Sequence, residues 1–206
     1  MDRSTDSVRT VVYRPARPED GAAMEALDGS FSTDTVYEVM VTDSGFTILP
    51  VPVDPPLHKV FPDDEEEDED GYGDESADGD GEDDGSGDAD GGLPARRTVV
   101  AVAGDELCGF VATSFEPWNA RLTVRDIEVA PAWRGRGIGR ALMGHALDFA
   151  RECGAGHVWL EVSNVNAPAV RAYLRMGFAF CGLDTSLYDG TASAGEKALF
   201  MARPVV

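Results

Sequence analysis

A glycine-rich turn with three arginines connects a predicted strand to a predicted amphipathic helix. Its sequence is Val129-Ala-Pro-Ala-Trp-Arg134-Gly135-Arg136-Gly137-Ile138-Gly139-Arg140. Glycines let the main chain approach a ligand closely, and the unpaired amides and dipole of a helix N-terminus favour an anion. With the added arginine charge, the turn suits a diphosphate. A plain strand-to-helix turn with solvated arginines is the alternative, since the spacing fits neither a P-loop nor a dinucleotide fingerprint.

The strand that leads into this turn, Arg121–Val129, carries two acids near its end. Its apolar residues change from even to odd positions: Leu122, Val124, Ile127 and Val129. A β-bulge near Arg125 would reconcile the two halves and place Asp126 and Glu128 on one face. Bulges often redirect side chains beside active sites, although a strand buried on both faces would produce the same change of phase.

Strands and helices alternate around these residues. A three-to-four-residue apolar period predicts a helix over 137–151, and Asn166 with Pro168 predicts the start of another that ends at Met176-Gly177. A short helix is predicted over 18–27, and strands over 8–14, 35–41, 46–53, 97–103, 107–115, 121–129, 157–162, 178–182 and 198–202. Four prolines are expected to end the pairing of the third strand: Pro50, Pro52, Pro55 and Pro56. The order predicts a mixed α/β fold with a parallel crossover from 121–129 to 157–162.

The charge of the chain is concentrated in one segment. The 206 residues carry 38 acids and 17 bases, a net charge of −21. Residues 63–90 hold 17 of the acids and no base, so the remainder has an ordinary balance of −4. Such a segment cannot bury a core, and residues 63–92 are therefore predicted to be a disordered acidic insertion within a single domain, 1–206. The remainder lacks the basic surplus expected of a nucleic-acid-binding protein.

Several further classes are disfavoured. No apolar run approaches the length of a membrane span, and the N-terminus lacks the layout of a signal peptide, which predicts a cytoplasmic protein without a membrane partner. The three cysteines are scattered, which argues against a disulfide framework or a zinc site. The three histidines are isolated, so no metal is expected.

Two motifs in sequence resemble those of the GNAT family of N-acetyltransferases. Arg134-x-x-Gly137-x-Gly139 after a strand is similar to the family's acyl-CoA-binding motif. Asn166-x-x-Ala169-Val-x-x-Tyr173-x-x-x-Gly177-Phe178, after the strand Val158-Trp-Leu-Glu-Val162, resembles the motif that follows it. The resemblance covers roughly residues 8–203. It implies a central mixed sheet flanked by helices and splayed between the fourth and fifth family strands, here 121–129 and 157–162.

One branch of the family is closer than the others. Glu25-Ala-Leu-Asp-Gly-Ser-Phe31, Val51-Pro-Val-Asp-Pro-Pro56, Lys59-Val-Phe-Pro-Asp-Asp64 and Cys181-Gly-Leu-Asp-Thr185 resemble segments of the streptothricin (nourseothricin) acetyltransferases of actinomycetes. An acid-rich loop at this position also fits that branch. The resemblance implies direct transfer of acetyl from acetyl-CoA to an amine, within a ternary complex, and hence antibiotic resistance.

The resemblance also assigns residues to the cosubstrate. Main-chain groups of Ile127 and Val129 would hold the pantetheine arm and thioester, and Asn166 would contact that arm. Tyr173 would face the thioester sulfur. The diphosphate would lie on the N–H groups of residues 134–140: Arg134, Gly135, Arg136, Gly137, Ile138, Gly139 and Arg140.

The acceptor amine must lose a proton before it attacks. A lysine-like amine has a pKa near 10, so only about one molecule in a thousand is a free nucleophile at pH 7. Glu128 is the first choice of base, acting through a water, with Asp126 and Glu161 as substitutes. Alternatively, Glu128 could be a salt-bridge partner or a solvated residue at the edge of the sheet. Tyr173 would give a proton to the leaving thiolate, or would only pack at its helix interface.

A streptothricin offers a β-lysine chain and a guanidine-like ring, so its site should be acidic with aromatic walls. The candidate acids are Asp28, Asp34, Asp126, Glu161, Asp184 and Asp189. The candidate aromatics are Phe31, Trp118 and Tyr188. Each acid could instead be a solvated surface residue, and each aromatic could belong to the core.

The sequence is compatible with three functions. The first is acetylation of the β-lysine amino group of a streptothricin-type antibiotic. The second keeps the chemistry but takes a protein lysine or N-terminus, and the third is an acyl-CoA-binding sensor without catalysis. The acidic run could attract a cationic substrate at long range or could merely aid solubility. The chain could be a monomer or a homodimer.

Overall fold

The computed structural model describes residues 10–60 and 95–206. Within these ranges the chain forms nine strands and three α-helices: β1 (Val12–Pro15), α1 (Gly21–Glu25), β2 (Phe31–Thr42), β3 (Gly45–Lys59), β4 (Ala95–Ala103), β5 (Glu106–Glu116), β6 (Arg121–Val129), α2 (Ile138–Glu152), β7 (His157–Ser163), α3 (Ala167–Arg175), β8 (Ala179–Asp184) and β9 (Ala198–Pro204). Short 3-10 helices lie at Pro18–Asp20, Pro117–Asn119 and Pro131–Trp133. The predicted acidic insertion and the start of the first predicted strand lie outside the described residues.

Seven strands form one mixed sheet in the order β1-β4-β5-β6-β7-β9-β8, and β2 and β3 form a separate ribbon. Strands β6 and β7 are parallel and are connected through α2. The other strand pairs of the described residues are antiparallel. The buried side of α2 packs on the sheet, where Leu142, Leu122 and Leu160 are almost fully buried. The predicted mixed α/β fold and its parallel crossover are confirmed.

The helix boundaries follow from local chemistry. Gly137, with a φ of 84°, precedes α2, and Gly154, with a φ of 70°, follows its end. Asn166 Oδ1 accepts a hydrogen bond from the Ala169 amide (3.2 Å) and so caps α3 as predicted. The helix predicted over 18–27 is shorter than expected, because a 3-10 turn occupies its start and α1 ends at Glu25. Among the described residues, none of the helices combines the length and apolar character needed to cross a membrane.

The prolines after position 49 do not end the third strand, which corrects the prediction. β3 continues to Lys59, with Pro50 opposite Tyr37 and Pro52 opposite Thr35. Among the described residues β3 pairs only with β2, so its other edge needs no amide donors, and a proline is tolerated there. The longer ribbon matters for the site because it carries Lys59 to Ser193 and Glu196, in the segment before β9.

The ribbon is attached to the main sheet through Asn164. Its main-chain oxygen accepts a hydrogen bond from the Tyr37 amide (2.8 Å), and its Nδ2 donates to Tyr37 O (2.8 Å). Its Oδ1 accepts a hydrogen bond from the Lys197 amide (2.7 Å). A single asparagine therefore joins β2 to the segment that precedes β9.

Candidate active site

Strands β6 and β7 run side by side and then separate. Their pairing ends at Val124 and Leu160. A bulge at Arg125 interrupts the pairing of β6 with β5 at the same place. Beyond it, Asp126 and Glu128 share one face of the strand. The predicted bulge is confirmed, and the gap between the two strand ends is the expected splay.

The turn after β6 presents main-chain amides at the N-terminus of α2. The first intrahelical hydrogen bond is donated by the Ala141 amide to Gly137 O (3.0 Å). The amides of Ile138, Gly139 and Arg140 therefore precede the helical pattern and point along the positive end of the dipole. Main-chain amides at a helix N-terminus are the donors that a diphosphate requires.

The remaining residues of the turn make contacts of their own. Gly135 has a φ of 75°, a conformation that other residues adopt only with strain. The Arg136 guanidinium lies 4.8 Å from the centre of the Trp133 ring. Trp133 is buried and donates its indole N–H to Glu106 Oε1 (2.7 Å). The charge of Arg136 is thus held beside the turn by a fixed aromatic ring.

Arg134 is engaged within the protein. Its guanidinium donates through Nη1 to Ser30 O (2.5 Å), through Nη2 to Asp28 O (3.2 Å) and through Nε to Val129 O (2.8 Å). Its amide donates to Pro131 O (3.3 Å). These N–H groups of Arg134 already donate to main-chain carbonyls, contrary to the expectation that they bind a diphosphate, whereas the guanidinium keeps its positive charge beside the turn. It also shows that Val129 O, expected to face the pantetheine arm, already accepts a hydrogen bond.

The carboxylate of Glu128 lies beside residues 28–30, which connect α1 to β2. A methyl group built on Gly29 would come within 2.8 Å of Glu128 Oε1, so the glycine main chain packs against the carboxylate. Burial raises the pKa of Glu128 from 4.5 to about 7. The charge of Asp126 acts in the same direction, whereas that of Arg134 opposes it. A carboxyl group with this pKa can accept a proton at neutral pH.

Tyr173 lies on the buried side of α3 and is 9% exposed. Burial raises the pKa of its phenol, and the negative charges of Asp126 and Glu161 act in the same direction. Both acids are therefore close enough to influence the phenol. The phenol therefore keeps its proton at neutral pH, which is the form that a proton donor requires.

Acids also line the β7 side of the gap. Glu161 accepts a hydrogen bond from Tyr188 Oη, and burial raises the pKa of the Glu161 carboxyl. Glu196 accepts hydrogen bonds from Ser163 Oγ (2.5 Å) and from Lys59 Nζ (2.5 Å). We call these five residues the acceptor wall: Lys59, Glu161, Ser163, Tyr188 and Glu196. It carries two carboxylates and one ammonium.

The other predicted acceptor residues divide into two sets. Phe31 is buried at the start of β2 opposite Lys59, and the Asp28 main chain is held by Arg134 near Glu128. Both therefore lie with Asp126 around the gap. Trp118 does not, and Asp34 and Asp184 have different surroundings.

The surroundings of Asp34, Asp184 and Trp118 differ. Asp34 is exposed and lines a shallow cavity of about 340 Å³ between β2 and α3. The carboxylate of Asp184 accepts the amides of Ser186 and Leu187 (2.8 and 3.0 Å) and so shapes the loop that carries Tyr188. Trp118 is 83% exposed and precedes β6, at the end of the strand opposite the gap. The position of Trp118 corrects its prediction as a contact with the acceptor. Asp184 lies opposite Ala198, which also pairs with Ser163, so Asp184 is at the gap end of the sheet and its role, like that of Asp34, stays a prediction.

Sequence reasoning did not identify Glu196, Lys59 or Gly29 as site residues. Lys59 and Glu196 are 137 positions apart, and no local spacing relates them. The sequence pointed to Gly29 only as part of residues 25–31, which resemble a segment of the streptothricin acetyltransferases. Within the described residues, no group of three or more His, Cys, Asp or Glu side chains could hold a metal ion.

Residues 57–178 match the acetyltransferase (GNAT) family. The chain belongs to this family. A streptothricin acetyltransferase of Streptomyces lavendulae is 59% identical over 197 residues, which cover 95% of each chain. The crystal structure of a nourseothricin acetyltransferase is 55% identical, with a TM-score of 0.78, and the match covers 95% of this chain and 99% of that one. A Bacillus anthracis structure in complex with acetyl coenzyme A, 19% identical with a TM-score of 0.69, supports the fold alone.

Membership of the GNAT family accounts for the two halves of the site. The chain is an acetyl-CoA-dependent N-acetyltransferase, and the amides before α2 lie on the side of the splay where the cosubstrate of such an enzyme is needed. Glu128 lies on β6 itself, and Glu161 follows the last β6–β7 pair on β7.

Proposed function

We propose that the protein acetylates an amino group of a streptothricin-type antibiotic, the β-lysine amine, and thereby confers resistance. The observation that carries this proposal is the acceptor wall, where the partly buried carboxylate of Glu161 comes immediately after the last β6–β7 pair and Glu196 is paired with Lys59. A streptothricin is polycationic, so its amines gain more from such a wall than a neutral acceptor would. The 59% identity to a streptothricin acetyltransferase supports the same substrate class.

The cosubstrate would lie between the ends of β6 and β7. Amides of Gly137, Ile138, Gly139 and Arg140 would hold its diphosphate, with further charge from Arg136. The main chain of Ile127 and Val129 would border the pantetheine arm. Asn166 is expected to contact the same arm from the N-terminus of α3. Acetyl-CoA bound there supplies the acyl group and a thiolate leaving group.

Glu128 acts as the base in this proposal. Its carboxylate takes a proton from the acceptor ammonium, through a water, and so creates the free amine that attacks the thioester carbonyl. The pKa of about 7 leaves a useful fraction of the carboxylate ionised at neutral pH and makes it basic enough to accept a proton. Asp126 lies close by and favours a nearby cation.

Tyr173 acts as the acid. Its phenol donates a proton to the thiolate as the tetrahedral intermediate collapses. The attacking nitrogen loses its second proton as the amide forms, and that proton restores the phenol, so that acetylated amine and free CoA thiol leave together. The acceptor wall would hold the rest of the substrate, with Glu161 and Tyr188 directed at a second cationic group. Phe31 supplies an apolar side to the same pocket.

Release of free thiol from acetyl-CoA, measured over a panel of amines, tests the proposal. The panel contains a streptothricin, free β-lysine, a basic peptide with a lysine and a free N-terminus, and a neutral amine. We expect rapid release with the streptothricin and a mass increase of one acetyl group on its β-lysine part. Faster release with the peptide would identify a protein acetyltransferase, and no release with any amine would favour the sensor.

A further inference from the structure

Residues 28–30 contact both Arg134, in the turn after β6, and Glu128, on β6 itself. They follow α1 and precede β2, and their main chain is bound by a side chain that belongs to the acyl-CoA motif. Arg134 reaches Asp28 O and Ser30 O with its two terminal nitrogens and Val129 O with Nε. One guanidinium thus bridges residues more than 100 positions apart.

The residue between the two bridged carbonyls is Gly29. Its main chain packs on Glu128 so closely that a methyl group would come within 2.8 Å of Oε1 and 3.3 Å of Oε2. The 28–30 segment therefore covers the carboxylate and limits its rotamers. Asp28 accepts the Ser30 amide through its own carboxylate (2.8 Å), which makes the segment a compact turn.

We propose that Arg134 is a positioning residue for Glu128: by fastening the 28–30 segment to the end of β6, it holds Gly29 against the carboxylate and fixes where that carboxylate points. The inference rests on the proposed function, since it assigns Arg134 to the proton transfer from the acceptor. It removes the Arg134 side chain from the diphosphate site. The arginine of the acyl-CoA motif therefore serves the base, and Arg140, just after the motif, is the candidate for the cosubstrate.

Two matched variants separate these roles. Arg134→Gln and Arg140→Gln each remove one positive charge from the same turn, and each keeps a polar side chain. We expect Arg134→Gln to lower kcat at least about 10-fold and to change the Kd of acetyl-CoA less than about 3-fold. For Arg140→Gln we expect the opposite pattern, a higher Kd with a smaller change in kcat. Arg134→Lys should restore little, because one ammonium cannot bridge two carbonyls with the fork geometry of a guanidinium.

A third variant tests the contact with Glu128 directly. Gly29→Ala places a methyl group within 2.8 Å of Glu128 Oε1, so the carboxylate must move. Because Oε1 is the far end of a flexible side chain, the protein should still fold. We expect kcat to fall, as in Arg134→Gln, while acetyl-CoA binds normally. The effects of Arg134→Gln and Gly29→Ala on kcat should not be additive, because both variants displace the same carboxylate.

The titration of Glu128 provides a readout that needs no substrate. Carbon-13 NMR of the carboxyl group would follow its protonation in the wild type, Arg134→Lys, Arg134→Gln and Arg140→Gln. Burial is the largest cause of the raised pKa, and Arg134→Lys keeps the positive charge while it loses the bridge, so release of the 28–30 segment in Arg134→Lys should move the titration to lower pH. Arg140→Gln should leave it in place.

The results can overturn the inference separately from the proposed function. An unchanged titration in Arg134→Lys, together with a weaker affinity for acetyl-CoA in Arg134→Gln, would show that Arg134 is a cosubstrate ligand. If the wild type releases no thiol with streptothricin but the titration shifts as expected, the proposed substrate is wrong and the positioning role stands.

Discussion

Replacing Glu128 with glutamine should raise the stability of the protein while it lowers the rate. The carboxyl group titrates near pH 7 in the folded state and near its ordinary 4.5 in the unfolded state. Between these values the unfolded chain releases a proton that the folded chain keeps, so the wild type loses stability as pH rises through this window. Glutamine cannot ionise and avoids this loss.

The size of the effect follows from the same two pKa values. Each pKa unit corresponds to about 1.4 kcal/mol, which sets an upper limit of about 3 kcal/mol above pH 7. Because the side chain is only partly buried, solvent screening should reduce the gain to about 1 to 2 kcal/mol. The difference between Glu128→Gln and the wild type should be smallest near pH 4.5 and should reach its plateau above pH 7.

Urea unfolding at several pH values between 4.5 and 8 measures this difference as a change in the free energy of unfolding. Glu38→Gln, at an exposed position on β2, is the matched control for loss of one carboxylate. A constant difference between Glu128→Gln and the wild type at every pH would refute the reasoning about burial. In the same variant, kcat should fall by about 10² to 10⁴, the usual contribution of a general base, and unchanged turnover would refute that role.

Three further outcomes are expected. Tyr173→Phe should lower turnover much more than it changes the Kd of acetyl-CoA, and equal turnover would exclude the phenol as proton donor. Glu161→Gln should raise the KM for a cationic acceptor about 10-fold or more at low salt and leave acetyl-CoA binding unchanged, as measured by initial rates and calorimetry; an unchanged KM would remove Glu161 from the acceptor site. Deleting residues 63–90 should lower kcat/KM at low salt but not at high salt if the segment attracts the substrate, and equal values at both salt concentrations would leave it a solubilising role.

Much of the donor side could be predicted because its residues are close in sequence. The glycine-rich turn, the helix cap at Asn166 and the bulge at Arg125 each leave a local pattern, whether of residue type or of apolar phase. The gap between β6 and β7 and the role of Tyr173 came instead from the family resemblance. The structure agrees with the gap, and the role of Tyr173 stays a prediction.

The acceptor side could be predicted only in part. Glu161 and Tyr188 were recognised as an acid and an aromatic, yet nothing in the sequence showed that they contact each other. Lys59 was hidden because its strand contains several prolines, which usually end pairing. Trp118 showed the converse problem, since an aromatic residue near the site in sequence lies at the opposite end of its strand.

The two halves of the site also differ in how far along the chain their residues are spread. The donor side is contained in one stretch from β6 to α3, whereas the acceptor wall brings together Lys59, Glu161 and Glu196, and the 28–30 segment reaches Arg134. Long-range contacts cost more loop entropy to form than local ones, so they tend to form late in folding. We therefore expect a refolding chain to regain its acyl-CoA-binding turn before its acceptor pocket, and mild destabilisation to remove acceptor binding first.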